Sequence, residues 1–140
     1  MRDWKLTHGD PLCLTLSADF RFGNVNYADD HTWELDLLSA EPPALLLRTT
    51  FGLRARSMRL FPRFGEDRLT VSDPAEFSRA PRLRAFQPNY LELDFVPLKD
   101  LEVTADFRAP GSQVIAGRYT FFNRGTAARK IRFDLCAMLS

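Results

Sequence analysis

The densest group of chemistry-bearing residues lies in FRFGNVNYADDHTWEL, Phe20 to Leu35. It holds Asn24 and Asn26, the carboxylates of Asp29, Asp30 and Glu34, His31, and the aromatic rings of Tyr27 and Trp33. Three chemistries use such residues. Metal binding needs three or four ligands converging on one point. Asp29, Asp30 and His31 are consecutive, and consecutive side chains of an extended segment point to opposite faces, so no metal site is expected. Glycoside hydrolysis needs two carboxyl groups flanking one sugar ring. Asp29, Asp30 and Glu34 are too close along the chain to supply this without a distant partner such as Asp73 or Asp94. The third chemistry is binding alone, in which aromatic faces and a few placed polar groups hold a sugar. On that reading Asn24, Asn26, Tyr27, Asp29, Asp30 and Trp33 are the ligand-binding set. The competing reading is a polar loop, braced by its Asn and Asp side chains, that feeds a buried strand at Trp33.

Elsewhere the sequence has no GxSxG, P-loop, HExxH or paired CxxC signature. No catalytic residue, metal or cofactor is therefore assigned. His8, in THGDP, reads as a surface residue beside a turn. Positive charge is carried by 16 Arg against 3 Lys, yet the net charge is only +1. That balance argues against nucleic-acid binding, which calls for a basic excess. Arg48, Arg54, Arg56, Arg59, Arg63 and Arg68 are instead expected to pair across strands with Glu92, Asp94, Glu102 and Asp106. Cys13 and Cys136 lie in apolar runs near opposite ends and read as reduced, buried thiols, although paired terminal strands would bring them together. The charged start MRDWKLTHGD lacks the apolar core of a signal peptide, and no apolar run reaches the length of a membrane span. A cytoplasmic protein is expected.

The elements that must position these groups are strands. YLELDF, LEVTADF, TWELDL and KIRFDLCAM alternate apolar and polar residues with a period of two, as half-buried antiparallel strands do. Further strands are expected at Leu12–Ser17, Ala44–Phe51, Ser57–Phe64 and Gln113–Phe122. The last alternates least and reads as central and covered on both faces. Gly117 within it marks a bulge or a close backbone approach. SAEPP, VPLKD, APGS and NRGTAAR are turn punctuation, the last with Asn123 and Gly125 suited to positive φ. Only DPAEFSRA carries a helix signal: Asp73 as N-cap, Pro74 at the first position, Glu76 as capping partner, and Pro81 as stop. Phe61 and Phe64 around Pro62, and Phe86 and Tyr90 around Pro88, are divided between core packing and an interface. The expectation is a single domain, residues 1–140, that is all-β: an antiparallel β-sandwich with at most one short helix, a closed barrel being the rival. Because it stops on a strand, it reads as a fragment of a longer protein.

The final third, LEVTADFRAPGSQVIAGRYTFFNRGTAARKIRFDL, resembles the end of the N-terminal β-sandwich that precedes the helical-barrel catalytic domain of glucoamylases, glycogen-debranching amylo-α-1,6-glucosidases and disaccharide phosphorylases. The likeness lies in an amphipathic strand, a polar link, a strand ending at the Asn123 turn, and a last amphipathic strand. FRFGNVNYADDHTWEL resembles the Gly- and aromatic-rich early segment of such domains, and GLRARSMRLFPRF stands where their next strands fall. The resemblance implies a supersandwich-like fold and a supporting role, with catalytic carboxylates on a barrel that this chain lacks. Its implied partners are a C-terminal catalytic domain, an α-glucan or oligosaccharide, and a second copy in a homo-oligomer, with neither nucleic acid nor membrane. A stand-alone carbohydrate-binding module and an oligomerisation domain are the rival functions.

Overall fold

The structure is a computed structural model that describes residues 4–5, 14–16, 32–36, 44–51, 55–87, 89–111 and 114–140. Among the described residues eleven strands follow in order: β1 (Trp4–Lys5), β2 (Leu14–Leu16), β3 (Thr32–Asp36), β4 (Leu46–Phe51), β5 (Arg56–Glu66), β6 (Leu69–Val71), β7 (Arg79–Gln87), β8 (Tyr90–Leu98), β9 (Leu101–Gly111), β10 (Val114–Asn123) and β11 (Arg132–Leu139). A five-stranded sheet has the order β1-β7-β8-β9-β10. A six-stranded sheet has the order β11-β5-β4-β3-β2, with β6 also beside β5. Every pairing is antiparallel, so the expected all-β sandwich is the architecture found. Among the described residues the one helical element is a 3-10 turn, Pro74–Glu76. Asp73 caps it by accepting a hydrogen bond from the Ala75 N–H at 2.8 Å.

The period-two pattern sets the core. Leu91, Leu93 and Phe95 on β8, and Val103, Ala105 and Phe107 on β9, are buried on the inner face of the five-stranded sheet. They meet Trp33, Leu35, Leu47 and Phe64 from the six-stranded sheet. Phe64 lies 5.7 Å from Phe95, 6.4 Å from Phe121, 5.6 Å from Phe133 and 6.0 Å from Phe77, measured between ring centroids. Edge-to-face contacts of this kind add to simple area burial. One ring thus ties β5 to β8, β10 and β11.

β5 runs longer than the sequence implied, and Pro62 lies in its middle. A proline there removes one ladder donor. Ser57 and Ser140 exchange both backbone hydrogen bonds, at 2.8 and 3.0 Å. Alternation along the β5–β11 register then turns the backbone nitrogen of Pro62 away from β11. On that other side, β4 pairs with β5 only as far as Leu60 and β6 begins at Phe64. Pro62 therefore falls in the gap between two successive partners, where no donor is required.

Three sequence expectations are corrected. Gln113–Phe122 is not central: β10 ends the five-stranded sheet, and its apolar residues serve contacts with β11 rather than cover on both faces. Its Gly117 does mark a close approach, since a Cβ there would meet the Phe107 ring at 3.0 Å, and a register irregularity lies between Val114 and Ala116. NRGTAAR joins the last two strands as expected, crossing between the sheets, but without the positive φ expected at Asn123 and Gly125. Among the described residues the non-glycine ones with positive φ are Asp67 and Asp100, in two-residue turns. Asn123 works through its side chain, accepting from Gly125 N–H at 3.0 Å and donating to the Ala127 carbonyl at 2.8 Å. β7, finally, occupies a stretch in which no strand was expected.

Trp33→Ala should reduce unfolding free energy by about 3–5 kcal/mol through the cavity left at a fully enclosed site, read from the midpoint of urea denaturation. Gly117→Ala should destabilise by about 1–3 kcal/mol through overlap with the Phe107 ring, read in the same assay.

Candidate functional site

Of the proposed ligand set, Asn24, Asn26, Tyr27, Asp29 and Asp30 lie outside the described residues, as does His31. Trp33 is described: it sits on β3, 2% exposed, with its indole inside the sandwich. The side chain predicted to be a sugar platform is thus a core residue here, because β3 turns its odd-numbered positions inward.

The richest described polar group is on the outer face of the five-stranded sheet. β8 and β9 carry Glu92, Asp94, Glu102 and Asp106 there, the even positions of the alternating runs. Asp94 is nearly enclosed and takes three guanidinium groups. Arg82 donates from Nε at 3.1 Å and from Nη2 at 2.5 Å. Arg84 approaches both carboxylate oxygens at 3.1 Å, and Arg79 donates from Nη2 at 3.0 Å. Two-point arginine–carboxylate pairs of this kind are directional and strong. Arg79 and Arg82 differ in parity and would lie on opposite faces of a regular strand. The register irregularity between them turns Arg79 to the same face.

The neighbouring acids are similarly occupied. Arg124 Nε donates to Glu102 at 2.8 Å, and Arg79 approaches the same carboxylate at 3.4 Å. The Arg124 hydrogen bond holds Glu102 below the ordinary glutamate pKa, against a smaller opposing effect of burial. Arg118 Nε donates to Asp106 at 2.8 Å. Glu92 stands directly opposite Asp106 in the β8–β9 register and accepts from the Tyr90 hydroxyl at 2.7 Å. That hydrogen bond, with burial second, raises the Tyr90 pKa. Asp94, Glu102 and Asp106 are thus partnered by Arg79, Arg82, Arg84, Arg118 and Arg124, and Glu92 by Tyr90, where the Arg48–Arg68 series was expected; Arg54 of that series lies outside the described residues. From that series Arg63 pairs with Asp134, on the other sheet.

Shallow clefts are also lined by described residues. One, of about 350 Å³, is lined by Gln87, Asn89, Tyr90 and Arg108. The Arg108 guanidinium carbon lies 5.0 Å from the centre of the Tyr90 ring, so a cation already covers one face of that ring. Another, of about 480 Å³, is lined by Gly65, Asp67, Lys130, Ile131 and Arg132. A Cβ at Gly65 would come within 3.2 Å of the Arg132 guanidinium, which donates to Thr70 Oγ1 at 2.9 Å. Among the described residues no group of three His, Cys, Asp or Glu side chains could hold a metal ion, and no helix is long and apolar enough to cross a membrane. Cys136 is a free, half-buried thiol.

The second notable surface is apolar. β10 and β11 are the last strands of their respective sheets and face one another. Tyr119 and Phe121 pack on Phe133 at 4.9 and 5.3 Å between centroids. Beyond that contact the row is left uncovered, with Leu135 59% and Leu139 74% exposed. By alternation with Phe133, Leu135 and Leu139 point to the core side, so core-type positions here lie in solvent. Sequence patterning marks them as core and cannot tell that the facing sheet stops short.

Fold and surface together define an all-β sandwich with an arginine-neutralised face and one open apolar edge. No protein-family model matches the chain, and no curated protein or solved structure matches it either.

Asp94→Asn should lower stability by about 2–4 kcal/mol, the usual loss on breaking a buried pair discounted for the partial exposure of Arg79 and Arg84. Glu66 and Glu102 have folded pKa values below the ordinary one, set first by hydrogen bonds from Arg129 and Arg124. A depressed carboxylate adds stability above its unfolded pKa and loses it as pH falls through the folded value. Thermal midpoints should therefore decline as pH is lowered below the ordinary glutamate range, with a shallower decline in Glu66→Gln.

Proposed function

We propose that this chain is a non-catalytic β-sandwich of a carbohydrate-active enzyme of the glycogen-debranching or α-glucan-hydrolysing kind. It works in the cytoplasm by packing against a helical-barrel catalytic domain of the same protein. The observation that carries this reading is the pair of apolar side chains left uncovered beyond the Phe133 contact, Leu135 and Leu139. Apolar side chains exposed at core-type positions mark an interaction site. The outer-face acids support the same reading. Asp94, Glu102 and Asp106 are engaged by arginine and Glu92 by Tyr90, which uses them as structural partners rather than as a pair flanking a sugar ring. The likeness of the last third of the sequence to sandwiches that precede helical barrels supplies the class of partner.

The rival, a carbohydrate-binding module, needs an open aromatic face. Trp33 is enclosed and Tyr90 is covered on one face by Arg108, which leaves Tyr27 as the aromatic of the original set to test.

Titration of the chain with maltoheptaose should give no heat of binding in a calorimeter. Millimolar or tighter affinity that disappears in Tyr27→Ala, with the fold intact by circular dichroism, would overturn the supporting role. The reading frame beyond Ser140 should encode a mostly helical segment of several hundred residues, the size of one or two further domains. In that longer protein the amides of β10 should exchange with deuterium more slowly than in the 140-residue chain; equal rates would remove the β10 side as the docking surface.

A further inference from the structure

We infer that β11 is a self-pairing edge, through which a second copy of this chain joins the six-stranded sheet. This rests on the reading that the β10–β11 side is a docking side, and it specifies what occupies the β11 half of it.

Among the described strands β11 has one neighbour, β5. Exposed sheet edges are normally blunted by shortness, bulges or charge. The described end of the five-stranded sheet at β10 fits that rule, with an irregularity between Val114 and Ala116 and Arg118 close by. β11 pairs over eight residues with no irregularity. It contains no proline, and its charges are confined to Arg132 and Asp134. Since Ser140 directs its backbone groups to Ser57, alternation directs those of Arg132, Asp134, Cys136 and Met138 to β5. The N–H and C=O groups of Phe133, Leu135, Ala137 and Leu139 are then directed outward, available to a further strand.

The strand is complementary to itself. The ladder onto β5 runs from Arg132 to Ser140, with its midpoint at Cys136. An antiparallel copy related by a two-fold axis at Cys136 places Leu135 opposite Ala137 and Phe133 opposite Leu139. Asp134 then falls opposite Met138 and Arg132 opposite Ser140, so no like charges meet. A register moved by four places would set Asp134 against its own copy. The half of β11 left bare by its own five-stranded sheet, ending at Leu139 with 74% exposure, comes beside the half of the copy that Tyr119 and Phe121 cover at Phe133. Each bare end thereby gains an aromatic neighbour. Such an interface is isologous and closed, as most homodimers are.

Because the backbone groups of Cys136 point to β5, the Cys136 pair across the axis is of the non-hydrogen-bonded kind, with Cα atoms roughly 4.5 Å apart. That separation lies within the range a disulfide spans. In sedimentation velocity the chain should give a species of twice its 16.0 kDa mass. In a Cys13→Ser background, treatment with diamide, which takes two electrons and two protons from two thiols, should give a covalent dimer that is absent in Cys136→Ser. Ala137→Pro removes an outward donor and leaves the ladder onto β5 its donors, so it should yield a monomer that keeps the β-sheet circular-dichroism spectrum. Leu135→Lys, at an exposed edge position, should do the same. A monomeric wild-type chain, no Cys136 cross-link, or dimers that persist in both variants would overturn the self-pairing. If the chain is monomeric while the β10 amides are still protected in the longer protein, the self-pairing falls and the docking of a catalytic domain stands.

Discussion

Phe64 is the contact on which the two layers depend. Its ring is fully enclosed and reaches Phe95 and Phe121 on one sheet, Phe133 on its own sheet, and Phe77 after the 3-10 turn. Stacked sheets lie about 10 Å apart, a gap that large inner-face side chains must fill from both sides. Phe77 in turn stacks on Phe95 at 5.4 Å, which fixes where the chain can cross from the six-stranded sheet to β7. Pro62, two residues before Phe64, lies where β5 passes from one partner to the next. The strand can therefore continue through a residue that donates no hydrogen bond.

A second tie joins the sheets at the surface. Arg129, on the crossing between β10 and β11, makes a two-point pair with Glu66 at 2.8 and 2.5 Å and donates to the Lys99 carbonyl at 2.6 Å. It links the end of β5 to the β8–β9 turn. This explains why the crossing can be irregular and still set β11 in register: its direction is fixed by Arg129 and by the Asn123 side-chain bonds, not by a hairpin. The outer face of the five-stranded sheet is organised differently. Carboxylates lie close to the sheet and guanidinium groups lie over them, with Arg118 72% exposed above Asp106 at 10%. Interactions on that face hold strands together. The open β10–β11 edge is where the described surface is left incomplete.

Much of this was legible in the alternating runs. YLELDF and LEVTADF gave β8 and β9 and their buried residues, because a sheet with one covered face imposes a period of two. TWELDL and KIRFDLCAM gave β3 and β11 for the same reason. β7 was missed because RAPRLRAFQ contains a proline and an irregular register, and its alternation is intact only at Arg82–Leu83–Arg84–Ala85. The three-arginine cluster on Asp94 was missed with it. Sequence parity places Arg79 and Arg82 on opposite faces, and only the irregularity between them brings both to one carboxylate. Trp33 shows the reverse case. Its neighbours gave it the chemistry of a sugar platform, while its place on an alternating strand made it core.

The sequence alone determined the all-β class, the inner faces of β3, β8, β9 and β11, the Asp73 cap and the close backbone approach at Gly117. Each of these is local, set by side-chain alternation or by one residue's backbone freedom. Tertiary structure decided which strands ended the sheets, which arginines met which acids, and which core-type residues remained uncovered. Those outcomes depend on register and on how far one sheet extends over the other. Leu93 and Leu135 carry the same side chain in the same alternating pattern, yet one is enclosed and the other is 59% exposed, because only the first lies beneath a facing sheet.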